Sequence, residues 1–332
     1  MKKTLMGLMT VILVVLSLSG IGLFIYAISD HLALTFEGVE APLAIEPPLV
    51  IASSNEEIKP EPLAEVIPDA LLMPPPEAVY HPYLTQQLNE FMRDFHGISL
   101  YFASLTEDFT FMYEPDRVFF AASVTKAPFA LYIYQKADRG ETDLSSLHEY
   151  TPAFHAGGSG IIRHNYQFGD LFTQGRLLAL NLYESDNVAT RILRGIHGYD
   201  SYRDFIQSIG GTPNFTRTIA YSYLTAREAG LYARAIHNYI ESGAPHSREF
   251  QANLLSNRFP FIQADYHIAS KSGWWHGWGG AFHDMAIVYA PAPYLLAILS
   301  NRYGDPEIEA VFYTISMFIQ EFNRKWFTTP SL

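Results

Sequence analysis

The chain has no cysteine, and that one absence excludes disulfides, thiolate metal ligands and a cysteine nucleophile. Positive charge is also scarce. Against 34 Asp and Glu stand 22 Lys and Arg, for a formal net charge of -12 and a pI near 5.4. No run of Lys and Arg forms a footprint for phosphates, so nucleic acid is excluded as a partner. The twelve histidines show no metal-ligand spacing such as HExxH, and neither a metal nor a cofactor is expected. Internal repeats are missing as well.

What remains is a 332-residue chain, 48% hydrophobic and 17% charged, able to bury one core of roughly 200 to 250 residues. Lys2 and Lys3 precede an uncharged apolar stretch, Thr4 to Ser29, long enough to span a bilayer. Charges beyond it are acidic at first: Asp30, Glu37, Glu40. The positive-inside rule therefore places the rest of the chain outside the cytoplasm. Residues 1–30 are expected to be a single-pass membrane anchor, with a cleaved signal peptide and secretion as the alternative. Residues 31–82 hold ten of the twenty prolines, and their acids are opposed by Lys59 alone. An extended, semi-rigid linker is expected there.

The folded domain is expected over residues 83–328. Leu84, Leu88, Phe91, Met92 and Phe95 share one helical face, and His96-Gly97 ends that helix. Residues 98–105 and 109–113 read as a hairpin, and 267–275, 281–289 and 294–301 as three more strands, followed by a helix over 306–322. The fold class expected is α+β: a five-stranded antiparallel sheet built from both chain ends, flanked by terminal helices, with an all-helical lobe inserted over 115–255. A site between the two parts follows.

Three motifs occur in order. Ser123-Val-Thr-Lys126 opens a helical run, Val124 to Ala137, where N–H groups and the helix dipole favour developing negative charge. Lys126 is three residues on, so its amine shares a face with the Ser123 hydroxyl and could activate it if burial lowers its pKa. Alone, the pair also fits an N-capping serine before a solvated lysine. Ser185-Asp186-Asn187 interrupts the apolar helical pattern of 177–196, where three polar residues demand partners. Ser185 could relay a proton and Asn187 meet a substrate amide, with Asp186 holding the turn; a plain capped helix junction is the alternative. Lys271-Ser272-Gly273 lies on a strand expected to border the cleft. Lys271 and Ser272 would supply charge and a hydroxyl to a substrate carboxylate, and Gly273 would admit the substrate backbone. The N–H groups of Trp274 and Ser123 could form an oxyanion hole. An edge strand carrying a lysine is the competing reading.

In this order and spacing the motifs resemble those of class A β-lactamase-type serine hydrolases, kin of D-Ala-D-Ala peptidases and penicillin-binding proteins. Softer matches are Gly158-Ser159-Gly160-Ile161-Ile162, Leu224-Thr225-Ala226-Arg227-Glu228 and His283-Asp284. The resemblance implies that Ser123 is acylated, that Lys126 and Ser185 shuttle protons, and that Asn187, Lys271 and Ser272 position a β-lactam or cell-wall peptide. His283 would sit near the substrate carboxylate or be a structural histidine satisfied by backbone. The run Trp274-Trp275-His276-Gly277-Trp278 would line a groove or cap the sheet end. In one respect the chain departs from its kin, which carry a deacylating glutamate in an ExxLN segment after SDN. Residues 188–224 contain no glutamate, and their only acids, Asp200 and Asp204, read as parts of a surface helix. Slow release of the acyl group is expected, favouring a cell-wall peptidase or penicillin-binding protein over an efficient resistance enzyme. A non-catalytic wall or penicillin sensor, or a Ser-Lys esterase or amidase, are the other readings.

Overall fold

A computed structural model describes residues 81–213, 223–277 and 279–327. The expected anchor, the expected linker as far as residue 80, and Trp278 lie outside the described residues, while Pro82, assigned to the linker, begins the first helix. Among the described residues, no helix is long and apolar enough to cross a membrane.

The first helix, α1 (Pro82–Met92), starts with proline at its first position, where the missing N–H costs nothing. It ends three residues before Phe95, in a turn that leads to Gly97 at φ +76°. The strands follow: β1 (Ile98–Ser104), β2 (Thr110–Tyr113) and, at the far end of the chain, β7 (Ile268–Trp275), β8 (Ala281–Val288) and β9 (Tyr294–Ser300). They form one antiparallel sheet in the order β2-β1-β9-β8-β7, so both chain ends build it. The last helix, α9 (Ile308–Phe327), runs past the expected Phe322 because Phe327 is buried against Phe102 and Phe109.

Both faces of the sheet are covered, which is why β1 and β9 are buried throughout. Leu100, Phe102, Leu296 and Ile298 face α1 and α9 in one core with Leu88, Met92, Phe312 and Ile315. Tyr101, Ala103, Ala297 and Leu299 face the other way, into a second core shared with the inserted helices. Burying each such side chain is worth about 1.5 to 3 kcal/mol. Packing therefore holds the terminal helices in place more than their own propensity does.

The insert comprises β3 (Phe119–Phe120), α2 (Lys126–Asp138), β4 (Leu147–Glu149), α3 (Ile162–Asn165), β5 (Leu171–Thr173), α4 (Gln174–Tyr183), α5 (Asn187–His197), α6 (Asp200–Ser208), β6 (Tyr223–Leu224), α7 (Ala226–Glu241) and α8 (Ser247–Leu255). It is helical except for two small ribbons, β3 with β6 and β4 with β5, which are too short to leave a periodic signal. A capping box between Thr225 and Glu228 starts α7, which packs on β1 and β9. Asp200 and Asp204 lie exposed on α6.

Candidate active site

Ser123 stands half-buried in a turn between β3 and α2, not on a regular helix from Val124. The turn is closed by Lys126 N–H to Ser123 C=O at 3.1 Å and Ala127 N–H to Val124 C=O at 3.2 Å. Ala122, just before Ser123, has φ +48°, and Ser185 has φ +52°. Neither is glycine, so both spend conformational energy to aim the chain here. Every residue from Lys126 to Tyr134 is buried, which fixes α2 rigidly beneath Ser123.

Gly273 shows how closely the motifs meet. A Cβ on it would stand 2.6 Å from the Ser123 nitrogen and 2.8 Å from the Val124 nitrogen. The missing side chain lets the Ser123 turn press against β7.

Ser185 occupies the junction of α4 and α5, where Lys126 and Lys271 converge. The Lys126 amine donates to the Ser185 hydroxyl at 3.2 Å, to the Ser185 carbonyl, and to Asn187 Oδ1 at 2.8 Å. These bonds run to Ser185 and Asn187, whereas the sequence pointed the amine at Ser123. Lys271 donates to the same Ser185 hydroxyl at 3.1 Å and to the Ser272 carbonyl at 2.8 Å. Burial, the Lys271 charge and Arg194 push the Lys126 pKa well below its ordinary value, with Asp186 opposing them. Three acceptors around three N–H donors also hold the amine as an ammonium would be held. Burial brings the Lys271 pKa down to about 7, again against a carboxylate, Asp284.

Asp186 is structural, as its place in the motif suggested. Its Oδ1 accepts the N–H groups of Val188 and Ala189 at 2.8 and 3.0 Å, capping α5. Oδ2 accepts those of Ile161 and Ile162 at 2.7 and 2.9 Å, anchoring the Gly158–Ile162 segment. Gly160, at φ +118°, makes room: a Cβ there would stand 2.3 Å from Asp186 Cγ. Asn187 donates to the Gly157 carbonyl at 2.8 Å and stays half-buried, with one N–H and one lone pair left over.

Of the two readings of His283 the geometry fits the structural one, and the reading of Ser272 changes. His283 is fully buried opposite Gly273, its Nε2 donating to the Phe120 carbonyl at 2.9 Å and its Nδ1 accepting from the Ser300 N–H at 3.0 Å. Both nitrogens are taken by backbone, so His283 positions the strand that leads to Ser123 and has nothing left for a substrate. Ser272 is buried too, its hydroxyl 3.5 Å from Asn257 Nδ2, and it does not line the open cleft in this geometry. Trp274 is partly exposed and packs edge-on against Phe259 and Phe261, next to Trp275, which meets Phe120.

Sequence reasoning missed three supports. Asn181 on α4 donates to the Lys126 carbonyl at 3.3 Å and accepts from the Thr190 hydroxyl at 2.8 Å, tying α2, α4 and α5 together. A lone Asn among Leu178, Leu180 and Leu182 was the available signal. Buried Glu184 pairs with Arg258 at 3.1 Å beside Ser185, and Asn257 holds Ser270 at 2.9 Å. Those two contacts join distant segments and leave no local pattern. Among the described residues, no three His, Asp or Glu side chains gather to hold a metal ion.

Among solved structures, the chain is similar to a β-lactamase from Sphaerobacter thermophilus DSM 20745, at 20% identity and TM-score 0.62, covering 74% of this chain and 98% of that one. It is similar to a PBP-A mutant in an acyl-enzyme complex with penicillin G, at 20% identity and TM-score 0.62, over 75% of this chain and 100% of that one. An ancestral class A β-lactamase aligns at 21% identity and TM-score 0.59, over 72% and 99%. No curated protein matches in sequence. These likenesses establish the fold, and residues 83–322 match the family described as the beta-lactamase enzyme family. Since that match spans well over half of the 332 residues and the fold agrees with it, the chain belongs to the beta-lactamase enzyme family of serine hydrolases.

Proposed function

We propose that the protein hydrolyses β-lactams or D-Ala-D-Ala-type cell-wall peptides through an acyl-Ser123 intermediate, and does so outside the cytoplasm, tethered by residues 1–30. One observation carries the reading: the Ser185 hydroxyl receives the amines of both Lys126 and Lys271 beside the Ser123 turn.

In the acylation step Ser123 Oγ bonds to the carbonyl carbon of the substrate. Its proton passes to Lys126 in the neutral form that its depressed pKa makes accessible, one of its three hydrogen bonds having been given up. The N–H groups of Ser123 and Trp274 face the developing oxyanion. With two amines donating to its oxygen, the Ser185 O–H points its own proton into the cleft. As the carbonyl carbon–nitrogen bond breaks, Ser185 hands that proton to the leaving nitrogen and is refilled from Lys126. In deacylation, water adds its oxygen to the acyl carbon and gives up one proton, the bond to Ser123 Oγ breaks, and that proton returns to Ser123 Oγ.

No glutamate occurs in residues 188–224, and the two acids there lie exposed on α6. Deacylation from a penicillin is therefore slow, and the protein is a poor β-lactamase.

Intact-mass measurement after penicillin exposure tests the reading. A persistent adduct on the wild type and none on Ser123→Ala is expected. Fast, catalytic nitrocefin turnover that Ser123→Ala abolishes would overturn the slow-release part. No adduct at all would favour an esterase, amidase or non-catalytic role. Recovery of the full chain in washed membranes tests the tether.

A further inference from the structure

Five residues, Ala156 to Gly160, run past Asn187 between two fixed points. On one side the His155 carbonyl is held by Arg191 Nη1 at 2.6 Å, and on the other Asp186 Oδ2 holds the Ile161 and Ile162 N–H groups at 2.7 and 2.9 Å. Gly160 belongs to the second point, because its missing Cβ lets it press on Asp186. Gly157, Gly158 and Ser159 lie between. Gly157 and Gly158 are exposed, so side-chain packing does not hold this middle part in place. Asn187 does: its Nδ2 donates to the Gly157 carbonyl at 2.8 Å, and its backbone N–H to the Ser159 carbonyl at 3.0 Å. Gly158 rests on the same side-chain nitrogen. A Cβ on it would stand 2.6 Å from Asn187 Nδ2, and its φ of +86° is one that glycine takes without strain. Asn187 Oδ1 is meanwhile taken by Lys126 at 2.8 Å. One N–H of the amide remains, on a nitrogen that Gly157 and Gly158 both touch. A substrate carbonyl that seeks this amide meets the two glycines there.

We infer that Gly157 to Ser159 form a specificity-determining strap closed over Asn187, in which the Gly157 carbonyl occupies the place of a substrate's amide carbonyl. The inference rests on the acyl-Ser123 reading, with Asn187 meeting that amide. An acyl donor with an amide next to its scissile carbonyl, as an N-acylated amino acid has, must displace the strap to be held. One without that amide acylates Ser123 and leaves the strap closed. The strap thus lowers the apparent affinity for the first class by the fraction of molecules in which it stands open. One neutral hydrogen bond closes it on the Asn187 side chain, so that factor is about threefold to tenfold.

Benzylpenicillin carries that amide and 6-aminopenicillanic acid does not, so the ratio of their second-order rates of acylating Ser123 reads the strap. Quenched intact-mass kinetics on the full-length chain gives both rates. Gly158→Pro forbids φ +86° and so forbids the closed strap. It should raise the ratio about threefold to tenfold by speeding benzylpenicillin, with the 6-aminopenicillanic acid rate within about twofold of wild type. Gly158→Ala conflicts with the closed strap through both its Cβ and its φ, and should move the ratio in the same direction. If the strap only positioned Asn187, benzylpenicillin would slow in both variants while the smaller compound held its rate. A ratio that rises in neither variant overturns the strap and leaves the acyl-Ser123 reading standing. Failure of both compounds to acylate the wild type overturns the strap and the acyl-serine reading together.

Discussion

Lys126 and Lys271 donate to a single oxygen, the Ser185 hydroxyl, from 3.2 and 3.1 Å. Two buried amines that close cannot both carry charge cheaply. Their protonation is linked through the hydroxyl they share, and each responds to the loss of the other.

Removing the Ser185 hydroxyl takes the common acceptor from both amines and, in the mechanism proposed above, the proton donor from the leaving nitrogen. Ser185→Ala should slow acylation of Ser123 by about 100-fold, in the range of a lost acid-base group. Stopped-flow or quenched intact-mass kinetics with penicillin measures it. A rate within twofold of wild type would remove Ser185 from the proton path.

Lys271→Met should shift the pH dependence of acylation. The Lys271 charge is one cause that holds the Lys126 pKa down, so its removal favours protonated Lys126. The base form then appears only at higher pH, and the rising limb of the acylation rate moves to the alkaline side. A limb that stays in place would show that Lys126 is not the base.

Asp186 holds four backbone N–H groups from two segments. Asp186→Ala leaves them without their acceptor and should cost about 4 kcal/mol or more in urea unfolding. Asp186→Asn keeps one acceptor oxygen and should lose roughly half of that.

How far the chain could be read without a structure depended on the range of the signal. Runs of β-branched and aromatic residues punctuated by turns in 98–113 and 267–301, with helical periods at either end, marked the sheet, because strands buried on both faces and amphipathic helices each write themselves into neighbouring positions. The SxxK, SDN and KSG motifs marked Ser123, Lys126, Ser185 and Lys271 for the same reason. What failed was relational. Nothing near His283 says that Phe120 and Ser300 will claim both ring nitrogens. Nothing near Gly273 says that the Ser123 turn will press against it. The ion pair of Glu184 with Arg258 spans segments that only the fold brings together.

Gly273→Ala tests that contact. The new Cβ would lie 2.6 and 2.8 Å from two backbone nitrogens, which cannot swing aside as a flexible side chain would. The Ser123 turn must shift away from β7. Acylation should fall by about 100-fold, as expected for a nucleophile displaced by about 1 Å, while stability drops by only about 1 to 3 kcal/mol. Comparable losses of rate and stability at the neighbouring Trp274→Ala would show that the effect is not specific to the contact.

Adjacent residues on β8 make opposite contributions to acid stability. Burial lowers the His283 pKa to about 4, below the ordinary 6.5, although its bond to the Phe120 carbonyl opposes the shift. The unfolded chain therefore takes up that proton first, and the stability His283 gives above pH 6.5 is lost as pH falls towards 4. Burial raises Asp284 to about 6 from 3.8, against the Phe261, Ile262 and Met285 N–H groups and the Lys271 charge. Here the folded chain takes up the proton first, so acidification from pH 6 to 3.8 restores stability. Each shift corresponds to about 3 kcal/mol, and the two nearly cancel. Wild-type stability should thus owe little net slope to this pair. His283→Gln should unmask the Asp284 contribution, narrowing its deficit against wild type as pH falls from 6.5 to 4. Asp284→Asn should do the reverse and lose ground steeply over the same range. Urea unfolding at pH 7, 5.5 and 4.5 reads both differences. Parallel curves for the two variants would mean that the buried imidazole and carboxyl do not titrate as their burial dictates.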